Sequence, residues 1–360
     1  MSAILRSRSR PRGLSLAGRS ITVRTLTTSP YRRSVNPTAA EVASAFLSRF
    51  QSDGPQIRTQ TLDANQLQLL TLTLNRPSLF PNSPTLSNSA STPPADTPIP
   101  PGYHLVYFTP AFLETELGAD GTDTSYNPEA PFTRRMWAGG EVLWPRDGKG
   151  RPNSLRVGQE VRETTRILSA EPKVVKRTGE DMIVVGVEKE FSNEHGVSIV
   201  DRRNWVFRKA LPPPSRSSDT ASSSTAHTAP PKPSAISTEG STHSRCLVQT
   251  PVTLFRFSAL TFNPHKIHYS TPWARDVEGH KDIVVHGPLN LISILDLWRD
   301  IKGPGADDPT ALIPERISYR ATSPLYAGDE YRIDLYEEAG ISTVQILGPG
   351  DVVAMKAEVE

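Results

Sequence analysis

The carboxyl-terminal third of the chain combines one apolar helix pattern with several strand patterns. Residues 289–301 carry apolar side chains at three- and four-residue spacing, which predicts one buried helix. A strand is predicted before it, at 248–257. Further strands are predicted after it, at 317–320, 331–336, 343–347 and 352–359. Because a lone helix must bury its apolar face against another layer, this order predicts an α+β unit whose antiparallel sheet curls around the helix.

The amino-terminal half carries a similar set of patterns. Apolar residues at helical spacing predict an amphipathic helix at 38–50. Three β-rich runs predict consecutive antiparallel strands at 157–168, 182–191 and 197–207. The turns between them contain the Gly or Asn that a tight hairpin favours. This half is therefore predicted to be a second sheet wrapped on a helix.

Two segments rich in Pro, Ser and Thr interrupt these patterns. Segment 211–245 cannot bury enough apolar surface to offset the entropy of ordering it, so it is predicted to be a disordered linker. It separates an amino-terminal domain, 34–210, from a carboxyl-terminal domain, 246–360. A disordered insertion is predicted within the first domain, at 81–101.

Residues 1–33 resemble a targeting segment. They contain eight arginines and many Ser and Thr, and no acidic residue occurs before Glu41. This composition predicts a mitochondrial transit peptide and a location in the matrix. A disordered basic tail is the alternative.

Composition excludes several classes of protein. The net charge of +2, with its positive excess at the start, gives the folded part no basic face for nucleic acid. The single Cys246 cannot form an intramolecular disulfide, and no ligand spacing predicts a metal site. No apolar run is long enough for a membrane span. No phosphate-binding glycine loop predicts a cofactor.

Segment 257–290 concentrates the titratable chemistry of the chain. It holds four of the eight histidines, namely His265, His268, His280 and His286. His286-Gly287-Pro288 stands directly before the predicted helix, where Pro fits the first helical position. The free N–H groups of that first turn can bind a thioester carbonyl as it becomes enolate-like. An ordinary strand-to-helix turn is the alternative reading.

This segment resembles the MaoC-type hydratases and dehydratases, whose pattern is D-x-N-P-aliphatic-H followed by a His-Gly pair that opens the central helix. His268 matches the histidine of that pattern, and His286-Gly287 matches the pair. Asn263 stands where the family has its catalytic Asp, and His265 stands where it has Asn. The stretches SALTFNPHKIHY and EGHKDIVVHGPL resemble the subgroup of mesaconyl-type CoA hydratases and mitochondrial type 2 dehydratases.

The amino-terminal half resembles the first domain of the same subgroup, through RRMWAGG at 134–140 and the pair Val157-Gly158. The resemblance implies a double hot dog, in which two antiparallel sheets each wrap on a central helix. The first hot dog would be degenerate and would form a wall of the acyl or pantetheine tunnel. A double hot dog can complete one site within a single chain, and association of two chains into a homodimer is left open.

The resemblance further implies a reversible dehydration of 3-hydroxyacyl thioesters, which needs a base, an acid and stabilisation of the enolate. His268 is the predicted base, and Gly287 is the predicted donor to the thioester oxygen. His286 and His265 are predicted to contact the substrate. Either His268 returns its proton to a hydroxyl that Asn263 orients, or His265 acts as the acid.

The expected substrate is an acyl-CoA or acyl carrier protein thioester of mitochondrial fatty-acid synthesis. A mesaconyl- or itaconyl-type CoA hydratase is the alternative, in which Arg320 or Arg256 would hold a second carboxylate. From another class, a non-catalytic hot-dog module that binds acyl thioesters stays open. A thioesterase would need a carboxylate to activate water, and the motif contains none.

Overall fold

The computed structural model describes residues 37–81, 83–176, 178–211, 234–306 and 308–360. The predicted transit peptide and most of the predicted linker lie outside the described residues. Within the described ranges, no helix has both the length and the apolar character that crossing a membrane requires.

Four α-helices and eleven β-strands make up the described fold. The helices are α1 (Ala39–Asp53), α2 (Ala64–Thr73), α3 (Pro251–Leu260) and α4 (Gly287–Lys302). The strands of the first half are β1 (Gln56–Thr61), β2 (Arg134–Leu143), β3 (Glu160–Val174), β4 (Asp181–Asn193) and β5 (Gly196–Arg208). Those of the second half are β6 (Ser237–Glu239), β7 (Thr242–Val248), β8 (Arg316–Ala321), β9 (Glu330–Glu338), β10 (Ile341–Gly348) and β11 (Val352–Val359).

All of these strands belong to one sheet, in the order β1-β3-β4-β5-β2-β8-β11-β10-β9-β7-β6. Every neighbouring pair is antiparallel, so the α+β class predicted from the sequence is confirmed. The two halves meet where β2 pairs with β8, from Gly139 opposite Arg320 to Leu143 opposite Arg316. The two predicted sheets are therefore continuous with each other.

Helix α4 is the buried centre of the second half, as predicted. Its residues from Leu289 to Trp298 are buried on all sides, and they pack in one core with residues of both halves. Part of its cover is the backbone at Gly102, where an added Cβ would lie 2.9 Å from Leu295 Cδ1. A helix that is buried on every face needs layers around it, and here the curled sheet and the backbone at Gly102 supply them.

Helix α1 packs on the first half. Thr38 and Glu41 form a capping box, in which each side chain accepts a hydrogen bond from the other residue's backbone N–H. The apolar face of the helix, including Val42 and Phe46, joins a second core with Ile183 of β4 and other residues of the sheet. The helix predicted at 38–50 is confirmed.

Three expectations differ from the structure. The strand predicted at 248–257 is wrong, because Thr250 caps a helix that begins with Pro251, and its Oγ1 accepts from Thr253 N at 3.2 Å. The predicted linker ends earlier than 245, since β6 and β7 form a hairpin whose second strand pairs with β9. The insertion at 81–101 is irregular but packed, because Leu86 and Ile99 lie in the main core.

Loss of the α1 cap should destabilise the first half. Thr38→Ala removes the hydroxyl that accepts from Glu41 N, so we expect the free energy of unfolding to fall by about 0.5–2 kcal/mol in urea titration. Thr38→Ser retains that hydroxyl and should stay within about 0.5 kcal/mol of the wild type. Equal stability of the Ala variant and the wild type would contradict a role for the cap.

Candidate active site

The site is built around the start of α4. His286 has the extended backbone of an N-cap residue, and Asn290 N donates to its carbonyl oxygen at 3.2 Å. Its side chain does not cap the helix; instead, its Nε2 lies 2.9 Å from Ser258 Oγ of α3. The N–H groups of the first helical turn have no partner within the helix, so they can bind a ligand oxygen.

His268 is held so that one ring nitrogen is free. It ends a short 3-10 turn, Lys266–His268, and its Nδ1 lies 2.7 Å from the carbonyl oxygen of Val284. Because a carbonyl only accepts, Nδ1 carries the proton and Nε2 presents a lone pair. Burial lowers the pKa of His268 to about 4, although the bond to Val284 opposes that shift. At neutral pH His268 is therefore an uncharged base.

His268 and His286 form a stacked pair. Their ring centroids lie 3.6 Å apart, and the ring planes are inclined by 18°. Burial lowers the pKa of His286 well below its usual range, and a charge on His268 would lower it further. Since two imidazolium rings at this distance would repel each other, the pair is neutral and accepts at most one proton.

His265 lies on the other side of His268, with ring centroids 5.4 Å apart. Its Nε2 is buried without a hydrogen-bond partner among the described residues, and lies 3.7 Å from Asp120 Oδ2. Burial, followed by the charges of His268 and Arg135, lowers its pKa well below the usual value. Asn263 accepts the backbone N–H of His265 on its Oδ1 at 3.2 Å, so its carbonyl group supports the turn.

All five predicted site residues line one cavity of about 1260 Å³: Asn263, His265, His268, His286 and Gly287. Both halves contribute to its walls, because residues 134–138 of β2 line it together with the segment that holds the histidines. The structure thus brings the predicted residues together. The roles that the sequence assigns to them stay predictions.

Trp137 lies in the site but is not among the site residues predicted from the sequence. Its side chain lies directly against Gly287, where an added Cβ would be 2.9 Å from Trp137 Cδ1. Its indole Nε1 is buried without a hydrogen-bond partner among the described residues. Gly287 is therefore required by the close approach of this ring, as well as by access of a ligand to its N–H. Only its place in RRMWAGG could have drawn attention to Trp137.

The cavity also contains charged residues that the motif did not include. Arg134 of β2 forms a hydrogen-bonded ion pair with Glu278, which connects the two halves beside the histidines. Arg135 also lines the cavity. Arg320 and Arg256, which the sequence suggested as carboxylate ligands, are both exposed and lie outside this lining. Both arginines lie on the solvent-exposed side of their helix or strand, and the sequence alone did not indicate that direction.

Comparison with solved structures shows the fold. A MaoC-like dehydratase from Phytophthora capsici is similar with a TM-score of 0.55 at 13% identity, covering 87% of this chain and 97% of that one. A Mycobacterium tuberculosis protein described as having a double hot-dog fold is similar with a TM-score of 0.50 at 12% identity, covering 86% and 97%. The chain is thus a double hot-dog protein, as the resemblance predicted.

Sequence comparison then gives the family. Mesaconyl-C(4)-CoA hydratase of Chloroflexus aurantiacus is 29% identical over 278 residues, which is 77% of this chain and 88% of that protein. The mitochondrial hydroxyacyl-thioester dehydratase type 2 of Schizosaccharomyces pombe is 24% identical over 265 residues, 68% and 80% of the two chains. The model of the hydroxyacyl-thioester dehydratase type 2 family matches residues 102–327. The chain belongs to that family.

Contact between Trp137 and Gly287 leads to a test of the site. Gly287→Ala places a methyl group against the indole, so we expect about 1–3 kcal/mol of destabilisation and loss of turnover on an enoyl-thioester. Gly148→Ala is the matched control, because nothing lies within 4 Å of its added Cβ. Wild-type stability and turnover in the Gly287 variant would contradict the described contact.

The buried neutral histidines should make the fold sensitive to acid. An unfolded histidine binds its proton near pH 6.5, whereas the pKa of folded His268 is about 4. Between these values the unfolded chain binds more protons, so the free energy of unfolding falls as the pH falls from about 6.5 to about 4. We expect lower urea midpoints at pH 5 than at pH 7.

The variant His268→Gln should make this fall shallower, because one group that must stay unprotonated in the folded state is removed. His195→Gln is the control, since His195 is exposed and should leave the slope unchanged. Equal slopes in all three proteins would show that His268 does not titrate as described.

Proposed function

We propose that the protein reversibly hydrates enoyl thioesters to 3-hydroxyacyl thioesters, with His268 as the proton-transferring residue. The observation that supports this most directly is the bond from His268 Nδ1 to Val284, which leaves Nε2 unprotonated in the cavity. Family membership and the names of the relatives support the same reaction class.

In the dehydration direction, His268 Nε2 takes the α-proton of the thioester. The carbon–oxygen bond at the β-carbon then breaks, and the same proton leaves with the hydroxyl group as water. A group with a pKa of about 4 is a weak base, so the enolate oxygen must be stabilised at the start of α4, where Gly287 N–H is the proposed donor. The low pKa also makes the transient imidazolium a strong acid, which favours protonation of the leaving hydroxyl.

His265 is less suited to be the acid. Burial lowers its pKa well below the usual value, so it holds no extra proton at neutral pH. We therefore assign it a supporting role beside His268, with Asn263 fixing its backbone. His268 is therefore the one residue to which we assign both proton transfers.

Two substrate classes fit the comparisons. The mitochondrial name of the yeast relative, together with the arginine-rich residues 1–33, supports a 3-hydroxyacyl thioester of mitochondrial fatty-acid synthesis and a location in the matrix. The mesaconyl-C(4)-CoA hydratase relative supports a short CoA thioester with a second carboxylate. The carrier, CoA or acyl carrier protein, is part of this choice. One chain supplies both walls of the cavity, so a homodimer is not needed to complete it, and the oligomeric state stays open.

A direct test is hydration of crotonyl-CoA, followed by loss of absorbance of the conjugated thioester. We expect His268→Ala to lower kcat by about a hundredfold or more, because the base is removed. His195→Ala changes an exposed histidine and should retain wild-type turnover. Near-wild-type turnover in the His268 variant would remove it from the mechanism. Binding without turnover by the wild type would favour the non-catalytic module.

A further inference from the structure

Arg135 places a guanidinium group in the cavity with little to neutralise it. Its side chain is 18% exposed, and the only carboxylate oxygen described within 4 Å is Asp123 Oδ2, at 3.8 Å from Nη1. No described residue accepts a hydrogen bond from it. Burial lowers the pKa of Arg135, and the charges of Asp123 and Asp120 oppose that shift. A buried cation in this state is stabilised by an anionic ligand.

Five of the other six Lys and Arg side chains that line the cavity have described partners. Arg58 and Lys266 donate to backbone carbonyls, and three cations form ion pairs: Arg134 with Glu278, Lys189 with Glu163, and Arg203 with Asp201. Arg208 also lines the cavity and has no described ion pair, but it lies opposite Arg134 in the β2–β5 ladder, so it stands on the sheet face opposite Arg135 and Trp137. Among the described cavity residues, Arg135 is therefore the cation without a hydrogen-bond partner on the sheet face that carries Trp137.

Arg135 shares a face of β2 with Trp137, the residue that packs on the proposed thioester position. Arg135 and Trp137 are two residues apart on β2, so their side chains share a face and their backbones are separated by about 6.6 Å. Trp137 packs on Gly287, where the thioester carbonyl is proposed to bind. Arg135 and His265 line the same cavity, and the charge of Arg135 contributes to the lowered pKa of His265.

The guanidinium is also oriented for a planar anion. It lies over the ring of Trp205, with its central carbon 4.9 Å from the ring centroid. Stacking of this kind fixes the plane and leaves the edges of the fork free. The nearest described carboxylate oxygen, Asp123 Oδ2, lies 3.8 Å from Nη1, which is too long for a hydrogen bond, so the fork has no described carboxylate in the paired geometry that an arginine can form.

We propose that Arg135 binds a second carboxylate on the acyl group, so that the site selects CoA thioesters of short dicarboxylic acids. The assignment rests on the proposed hydratase function and specifies its substrate class. Arg135 and Trp137 stand on one face of β2, so the guanidinium and the proposed thioester position at Gly287 belong to one part of the cavity. A long apolar acyl chain would instead bury Arg135 without an anion.

The test compares two thioesters that differ in one group. In fumaryl-CoA a carboxylate replaces the methyl group of crotonyl-CoA. We expect the wild-type chain to prefer fumaryl-CoA in kcat/KM, and Arg135→Met to lower that value about tenfold to a hundredfold. The same variant should leave kcat/KM for crotonyl-CoA within about twofold or raise it. Arg135→Lys keeps the charge without the planar fork, so its kcat/KM for fumaryl-CoA should lie between the values of the wild type and of Arg135→Met.

Arg320→Met is the matched control, since Arg320 is exposed and lies outside the cavity lining, and it should leave both values unchanged. An equal fall for both thioesters in Arg135→Met would overturn the inference, because it would place Arg135 on a group that they share, such as the CoA phosphates. Wild-type preference for crotonyl-CoA would also overturn it, with the hydratase function intact. Turnover of neither thioester would remove the proposed function and the inference together.

Discussion

The pairing of β2 with β8 is the interaction on which the site depends. Five residue pairs join the two halves into one sheet, and they begin at Gly139 and Gly140. Neither glycine can carry a side chain, since an added Cβ would lie 2.5 Å from Tyr319 O at Gly139 and 2.0 Å from Arg202 O at Gly140. A bulge between Trp137 and Gly139 interrupts the β2–β5 register at the same place. Such a bulge redirects the strand that carries it.

This joint explains why RRMWAGG belongs to the active site rather than to the packing of the first half alone. The glycines allow the two halves to meet, and the residues just before them, Arg135 and Trp137, then line the cavity that also holds the histidines, with Trp137 against Gly287 at the start of α4. One strand of the first half thus supplies a wall, an aromatic contact for Gly287 and a cation. A chain without the joint would leave the histidines with only half of a cavity.

The sequence allowed the secondary elements with strong local signals to be predicted. Helix α4, strands β3 to β5 and β8 to β11, and the turn at His286 all have apolar periodicity or a capping residue that can be read in one window. Helix α3 was missed because its apolar run lacks clear periodicity, so Thr250 and Pro251 were outweighed by a strand-like composition. The short β6–β7 hairpin was missed because its stability comes from pairing with β9, about ninety residues later.

The site likewise combines residues that have a local sequence signal with residues that have none. His265, His268 and His286 are close in sequence, so their association could be predicted, whereas the contact of Trp137 with Gly287 spans 150 residues and depends on the β2–β8 joint. Residues that act through tertiary contacts alone leave no local pattern. Arg135 is of this kind, and the exposed Arg256 and Arg320 show that composition does not indicate which arginine turns inward.

The asparagine at position 263 helps to explain the chemistry of His268. In the MaoC-type pattern an aspartate stands there, and a carboxylate near a histidine favours the charged ring and raises its pKa. With an amide in its place, burial is the dominant influence, and the pKa of His268 falls to about 4. The oxygen of Asn263 still accepts the backbone N–H of His265, a bond that either residue type could make. The substitution therefore retains the turn that positions the histidines while removing the charge, which agrees with the proposal that His268 alone transfers the proton.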